Sequence, residues 1–175
     1  MGGFMMSDII LRAPEPEDLE IMLAVENDPL LWEHSSENTG PYTRYQMKQY
    51  IAENTNDIFT DRQLRMMIEL QDGRIAGMVD VFDFDVRNNK AEIGIVVLPE
   101  FRGRGIAKAA ISGMEAHCFG FIGINQLYSY VRNDNVAARS VFDSCGFTEI
   151  AVLKSWIRRG NKYYDVCLYQ KIAAL

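Results

Sequence analysis

Between Leu64 and Leu98 the chain encodes three strands in a row, and this stretch restricts the possible folds more than any other. Leu64 to Leu70 reads as a strand, Asp72-Gly73 as a tight hairpin turn that favours positive φ, and Ile75 to Phe84 as the returning strand. Arg87-Asn88-Asn89-Lys90 supplies a second turn, Ala91 to Leu98 a third strand, and Pro99 ends it. Strands joined by such short turns pair antiparallel, because a parallel pair needs a crossover of about a dozen residues or more. A regular alternation of strand and helix is therefore excluded for the middle of the chain.

The flanking segments complete a mixed pattern. Ile9-Ile10-Leu11-Arg12 is a short strand stopped by Pro14 and Pro16. Asp18 to Asn27 carries Leu19, Met22, Leu23 and Val25 at helical spacing, closed by Asp28-Pro29. From Leu30 to Asp61 the pattern is less regular, with His34 to Tyr42 loop-like and Tyr45 to Glu53 a short helix. Gly105 to Phe121 places Ile106, Ala110, Met114 and Phe121 on one helical face. Gln126 to Val131 alternates as a strand, and Asn133-Asp134-Asn135 offers caps to a helix that runs to about Cys145 and stops at Gly146. Phe147 to Ile157 and Tyr163 to Ile172 close the chain as two strands. The order (strand, helices, three strands, helix, strand, helix, two strands) is that of an α/β (α+β) fold with a mostly antiparallel sheet. No linker or repeat divides residues 1–175, so one domain is expected, with Met1 to Met6 unstructured or preceding an alternative start at Met5 or Met6.

Composition excludes several functions. The net charge is −6 and the pI near 5.0, which repels nucleic acid. No apolar run is long enough to cross a bilayer, and the N-terminus lacks the basic and apolar regions of a signal peptide. Cys118, Cys145 and Cys167 are odd in number and widely spaced, which reads as reduced thiols in a cytoplasmic protein. His34 and His117 form no metal pattern, Ser140 has no His or Asp partners for nucleophilic catalysis, and Met66, Met67 and Met78 read as strand packing.

The segment with chemistry in it is Val97-Leu98-Pro99-Glu100-Phe101-Arg102-Gly103-Arg104-Gly105-Ile106-Ala107. Gly103 and Gly105 let the backbone turn tightly and approach a ligand without β-carbons in the way. The helix that follows presents unpaired N–H groups and the positive end of its dipole, and Arg102 and Arg104 add charge; a diphosphate suits this site. The ending of a P-loop is absent, and the spacing is not that of a dinucleotide fingerprint.

Arg102-x-x-Gly105-x-Ala107 after a strand and a proline resembles the acyl-CoA loop of the GNAT acetyltransferase superfamily. Asn135, Ala138, Phe142, Gly146 and Phe147 resemble its second landmark, Asn-x-x-Ala-x-x-x-Tyr-x-x-x-Gly-Phe. The resemblance covers roughly residues 9–172. It implies a sheet of about seven strands with helices on both faces and the family's fourth and fifth strands splayed. It also implies acetyl-CoA as acetyl donor, with no metal. On that resemblance the amides of Arg102, Gly103, Arg104, Gly105, Ile106 and Ala107 hold the pyrophosphate, and the main chain of Ile95, Val96 and Val97 lines the pantetheine arm. Asn135 stands where the family's side chain usually bonds the cofactor; a plain helix N-cap is its other role.

Transfer to nitrogen requires a neutral amine, because an ammonium has no lone pair; an alkyl amine with a pKa near roughly 10.4 must lose a proton. Glu92 is the candidate base, resembling the glutamate that begins this strand in spermidine and ribosomal-protein acetyltransferases; a structural ion pair is its other role. Phe142 replaces the tyrosine that often protonates the thiolate in the family, so the acid is either omitted or supplied by Tyr128, Tyr130 or Tyr164. Glu26, Asp28, Glu33 and Glu37 suit a cationic amine if they face the cleft. The readings are acetylation of a polyamine or another small amine, acetylation of a protein or peptide N-terminus, and a catalytically silent acyl-CoA-binding module. An edge strand or the last hairpin could support a homodimer.

Overall fold

The computed structural model describes residues 3–6, 8–32 and 40–174. The three central strands form as their turns demand: β3 (Leu64–Leu70), β4 (Ile75–Asp85) and β5 (Lys90–Val97) pair antiparallel in sequence. Before them lie β1 (Gly3–Met6) and β2 (Ile9–Arg12); after them lie β6 (Gln126–Arg132), β7 (Thr148–Arg159) and β8 (Lys162–Ile172). The sheet order is β1-β2-β3-β4-β5-β6-β8-β7, and only β5 and β6 run parallel.

The sheet of about seven strands that the sequence implies is present, and Gly3–Met6 adds a short edge strand against Ile9–Arg12. The reason is the open edge of β2. Its outer row of N–H and C=O groups faces no other strand, and the N-terminal segment supplies the missing partners.

Six α-helices among the described residues cover both faces. On one side lie α1 (Leu19–Glu26), α2 (Pro29–Trp32) and α3 (Arg44–Glu53); α4 (Ile58–Asp61), α5 (Ile106–Glu115) and α6 (Val136–Ser144) pack on the other. The period-two alternation of the strands feeds two separate cores. Met66 joins the larger, with Val79, Ile93, Ile106, Met114 and Leu127. Its neighbour Met67 points the other way and packs with Met22, Val25, Met47 and Met78. Burying one such side chain contributes about 2 kcal/mol, so this methionine cluster fastens α1 and α3 to the sheet.

One helical expectation fails. Beyond Glu115 the helix widens into a π-helix over Ala116–Ile122. The wider turn changes the phase of the buried stripe, and Phe121 is 82% exposed instead of joining Met114. It stacks on His117 with ring centroids 5.2 Å apart.

Candidate active site

The turn between β5 and α5 is held from one side only. Phe101 is buried and anchors it, while Gly103 and Gly105 have φ of +74° and +78°. No atom lies within 4 Å of where a β-carbon would stand on either glycine. Hydrogen bonds within the turn run from Phe101 N to Leu98 O (2.9 Å) and from Arg102 N to Pro99 O (3.3 Å). Among the described residues, the amides of Gly103, Arg104, Gly105, Ile106 and Ala107 donate to no protein acceptor. A ladder of free N–H groups at the positive end of a helix suits a phosphate or diphosphate. Arg102 Nε donates to Val97 O at 2.9 Å and ties the turn to the strand end. The Arg104 guanidinium lies over the Phe101 ring at 5.7 Å, and Arg104 does not line the cleft below.

That cleft exists because β5 and β6 part. They pair only at Lys90, Ala91 and Glu92 against Gln126, Leu127 and Tyr128. The main chain of Ile95, Val96 and Val97 is bonded to β4 on one side and has no β6 partner on the other. The fork opens into a cleft of about 1070 Å³ that the turn residues Arg102, Gly103, Gly105, Ile106 and Ala107 line at one end. Glu92, Asp83, Asp80, Asp61 and Glu26 line it as well. Five residues of strand separate Glu92 from Val97, or about 16 Å.

Glu92 is half-buried, opposite Phe82 on β4 and Tyr128 on β6. Burial, and then the charge of Glu92, push the Tyr128 phenol up to about 12. Asn135 lines the cleft, and its Oδ1 accepts from Ala138 N at 3.1 Å, so it is the N-cap of α6. Phe142 also lines the cleft; its ring stacks on Tyr169 at 5.8 Å and meets Phe147 edge-on at 5.1 Å. Of the three tyrosines considered as acids, Tyr130 lines the cleft and stacks on Trp156. Tyr128 and Tyr164 do not line it, and Tyr164 lies under the Arg132 guanidinium at 4.1 Å.

Of the acids that the sequence offers to the cleft, Glu26 lines it and Asp28 does not. Glu26 reaches the cleft, but Arg65 pairs with it at 2.7 Å and with Asp80 at 2.7 Å. The Asp28 carboxylate accepts from Leu30 N at 2.9 Å and borders a separate smaller hollow. Glu33, Glu37 and His34 lie outside the described residues. The missed acids are Asp61, Asp80 and Asp83. Asp83 sits at a β-bulge between Phe82 and Asp85, with φ of 50°. A bulge leaves no sequence signal when its left-handed residue is not glycine, so nothing local marks Asp83 as turning into the cleft. Among the described residues no cluster of His, Cys, Asp and Glu could hold a metal ion.

Residues 8–148 match the family model described as the acetyltransferase (GNAT) domain. The chain belongs to the GNAT acetyltransferase family. Among its relatives is the spermidine N(1)-acetyltransferase of Vibrio cholerae, 24% identical over 162 residues covering 93% of this chain and 91% of the relative. A putative ribosomal N-acetyltransferase of Bacillus subtilis is 27% identical over 165 residues, covering 92% and 89%. The solved structure of the Vibrio cholerae spermidine N-acetyltransferase in complex with CoA and spermine superposes with a TM-score of 0.84 at 23% identity, over 96% of this chain and 97% of that one. The open, mostly antiparallel sheet is thus the GNAT fold, and the fork between β5 and β6 is the splayed pair that the family resemblance implies.

Proposed function

We propose that this GNAT acetyltransferase moves the acetyl group of acetyl-CoA to a primary amine of a polyamine or a similar small dication. The carrying observation is one continuous cleft that joins free backbone amides to a group of carboxylates. Two oppositely charged partners, a diphosphate and an ammonium, suit a cleft lined in this way.

In this reading the amides from Gly103 to Ala107 hold the pyrophosphate, and the open main-chain edge of Ile95 to Val97 aligns the pantetheine arm. Asn135 shapes the rim as the cap of α6. Asp83 and Asp61 anchor the distal ammonium, and Glu92 takes the proton that the reacting nitrogen must shed. The base is needed because carboxylates around an amine stabilise its charged form and hold back the nucleophile. The homology to spermidine acetyltransferases supports a polyamine as substrate. The three cysteines are buried with their thiols pushed up by burial, Cys118 to about 12, which suits a reducing compartment such as the cytoplasm.

The deciding experiment measures thiol release from acetyl-CoA with purified protein across a panel of diamines, polyamines, amino acids and peptide N-termini. Turnover of spermidine or spermine without turnover of peptides is expected. Turnover of peptide N-termini alone would assign the cleft to protein acetylation, and thiol release with no amine on the panel would leave a CoA-binding module.

A further inference from the structure

The inward face of β6 carries Leu127, Ser129 and Val131, all at most 5% exposed. The Ser129 hydroxyl is not sealed in: among the described residues the fully enclosed side-chain polar atom without a hydrogen bond is Glu115 Oε1, so the Ser129 Oγ opens onto the cleft. Among the described residues the Ser129 hydroxyl bonds to no protein group, and the residue lines the cleft. Its position is singular. Pairing of β5 with β6 ends at Glu92 and Tyr128, so Ser129 is the first residue past the fork. On its other side it is in register with Tyr169, whose ring stacks on Phe142. Directly opposed side chains on one face stand about 5 Å apart at Cβ, so the hydroxyl lies beside an otherwise aromatic and aliphatic wall.

We propose that Ser129 is a positioning and charge-stabilising residue whose hydroxyl donates a hydrogen bond to the sulfur as it leaves. The inference rests on the reading of the cleft as the seat of acetyl-CoA. Other hydroxyls are less well placed. Tyr128 alternates to the other face of β6 and does not line the cleft; Tyr130 lines it but stacks on Trp156, Ser140 lines it from the exposed side of α6, and Ser144 Oγ already donates to Val141 O at 2.8 Å. In the transfer a carbon–nitrogen bond forms, the carbon–sulfur bond breaks and its electron pair stays on sulfur. The nitrogen's proton goes to Glu92. Ser129 keeps its own proton, because a hydroxyl is a far weaker acid than an alkyl thiol of pKa near roughly 8.5. A hydrogen bond to an ionised group is about twice as strong as one to a neutral group, so it strengthens as the sulfur gains charge.

The test uses product binding, which needs no amine. Calorimetry compares wild type, Ser129→Ala and Ser129→Thr with CoA and with desulfo-CoA at pH 7 and pH 9.5. The Ser129→Ala Kd for CoA should exceed wild type by about 2-fold at pH 7 and about 10-fold at pH 9.5, where the thiol ionises. Desulfo-CoA should show no difference at either pH, Ser129→Thr should follow wild type, and kcat of Ser129→Ala should fall about tenfold. Equal losses for CoA and desulfo-CoA, or a ratio that ignores pH, would reduce Ser129 to packing and overturn the proposal. Failure of wild type to bind CoA would overturn it together with the seat. CoA binding with the expected pH trend but no polyamine turnover would spare Ser129 and remove only the amine assignment.

Discussion

Glu92 and Tyr128 stand opposite each other at the last paired position of two parallel strands, and the sheet forks immediately beyond them. This places a half-buried carboxylate at the closed end of the cleft, while the same strand, about 16 Å further on, delivers the chain to the turn with free amides. A base held by paired strands is fixed in position before any ligand enters.

Gly105→Glu should weaken acetyl-CoA binding by more than 100-fold in calorimetry, because it sets a negative charge at the amide ladder. Gly105→Ala is the control. The left-handed φ of +78° costs an alanine on the order of 1–2 kcal/mol of stability, but no atom blocks its methyl, so its binding loss should be several-fold smaller. Unchanged affinity in Gly105→Glu would move the pyrophosphate away from this turn.

Glu92→Gln should lower kcat by about 10²–10⁴-fold with the acetyl-CoA Kd within 2-fold of wild type. Its remaining rate should rise with pH as free amine becomes available. Full activity at neutral pH would leave Glu92 a purely structural carboxylate.

Asp83→Asn should raise the KM for a polyamine by about 10-fold and change kcat less. Its carboxylate is at the cleft without a share in the Arg65 pairs. A monoamine, having no second charge to anchor, should show little change; an equal KM increase for both amines would rule out the anchor.

Lys171 approaches the two Glu115 carboxylate oxygens at 2.8 and 3.0 Å, and only the second contact has hydrogen-bond geometry. Burial raises the Glu115 pKa more than Lys171 lowers it. A carboxylate raised in the folded state contributes stability that is present in acid and lost as the pH rises through its folded value. Lys171→Met should therefore destabilise by on the order of 3 kcal/mol at pH 7.5 in urea unfolding, and the loss should shrink toward pH 5. Adding Glu115→Gln should recover most of it at pH 7.5. A loss independent of pH would point to packing against Phe147 instead.

Much of this was legible before any coordinates. Turns such as Asp72-Gly73 and the stop at Pro99 are local, so the three central strands emerge within a few residues of their observed ends. The glycines of Arg102-Gly103-Arg104-Gly105 announce a left-handed turn for the same reason. The N-terminal strand, the π-turn that exposes Phe121 and the bulge at Asp83 were not legible. Each depends on a partner or a change of phase that the local residues do not encode.

The sequence by itself determined the order of the elements from the three central strands to the last hairpin, the family and the residues of the amide turn, because turn chemistry and helix starts are decided by neighbours along the chain. Only the tertiary structure decided which acids share the cleft, that Arg65 occupies two of them, and that Ser129 faces the cleft at the fork. Charges and hydroxyls act through space. Their partners come from strands distant in sequence, and only the packed sheet sets those distances.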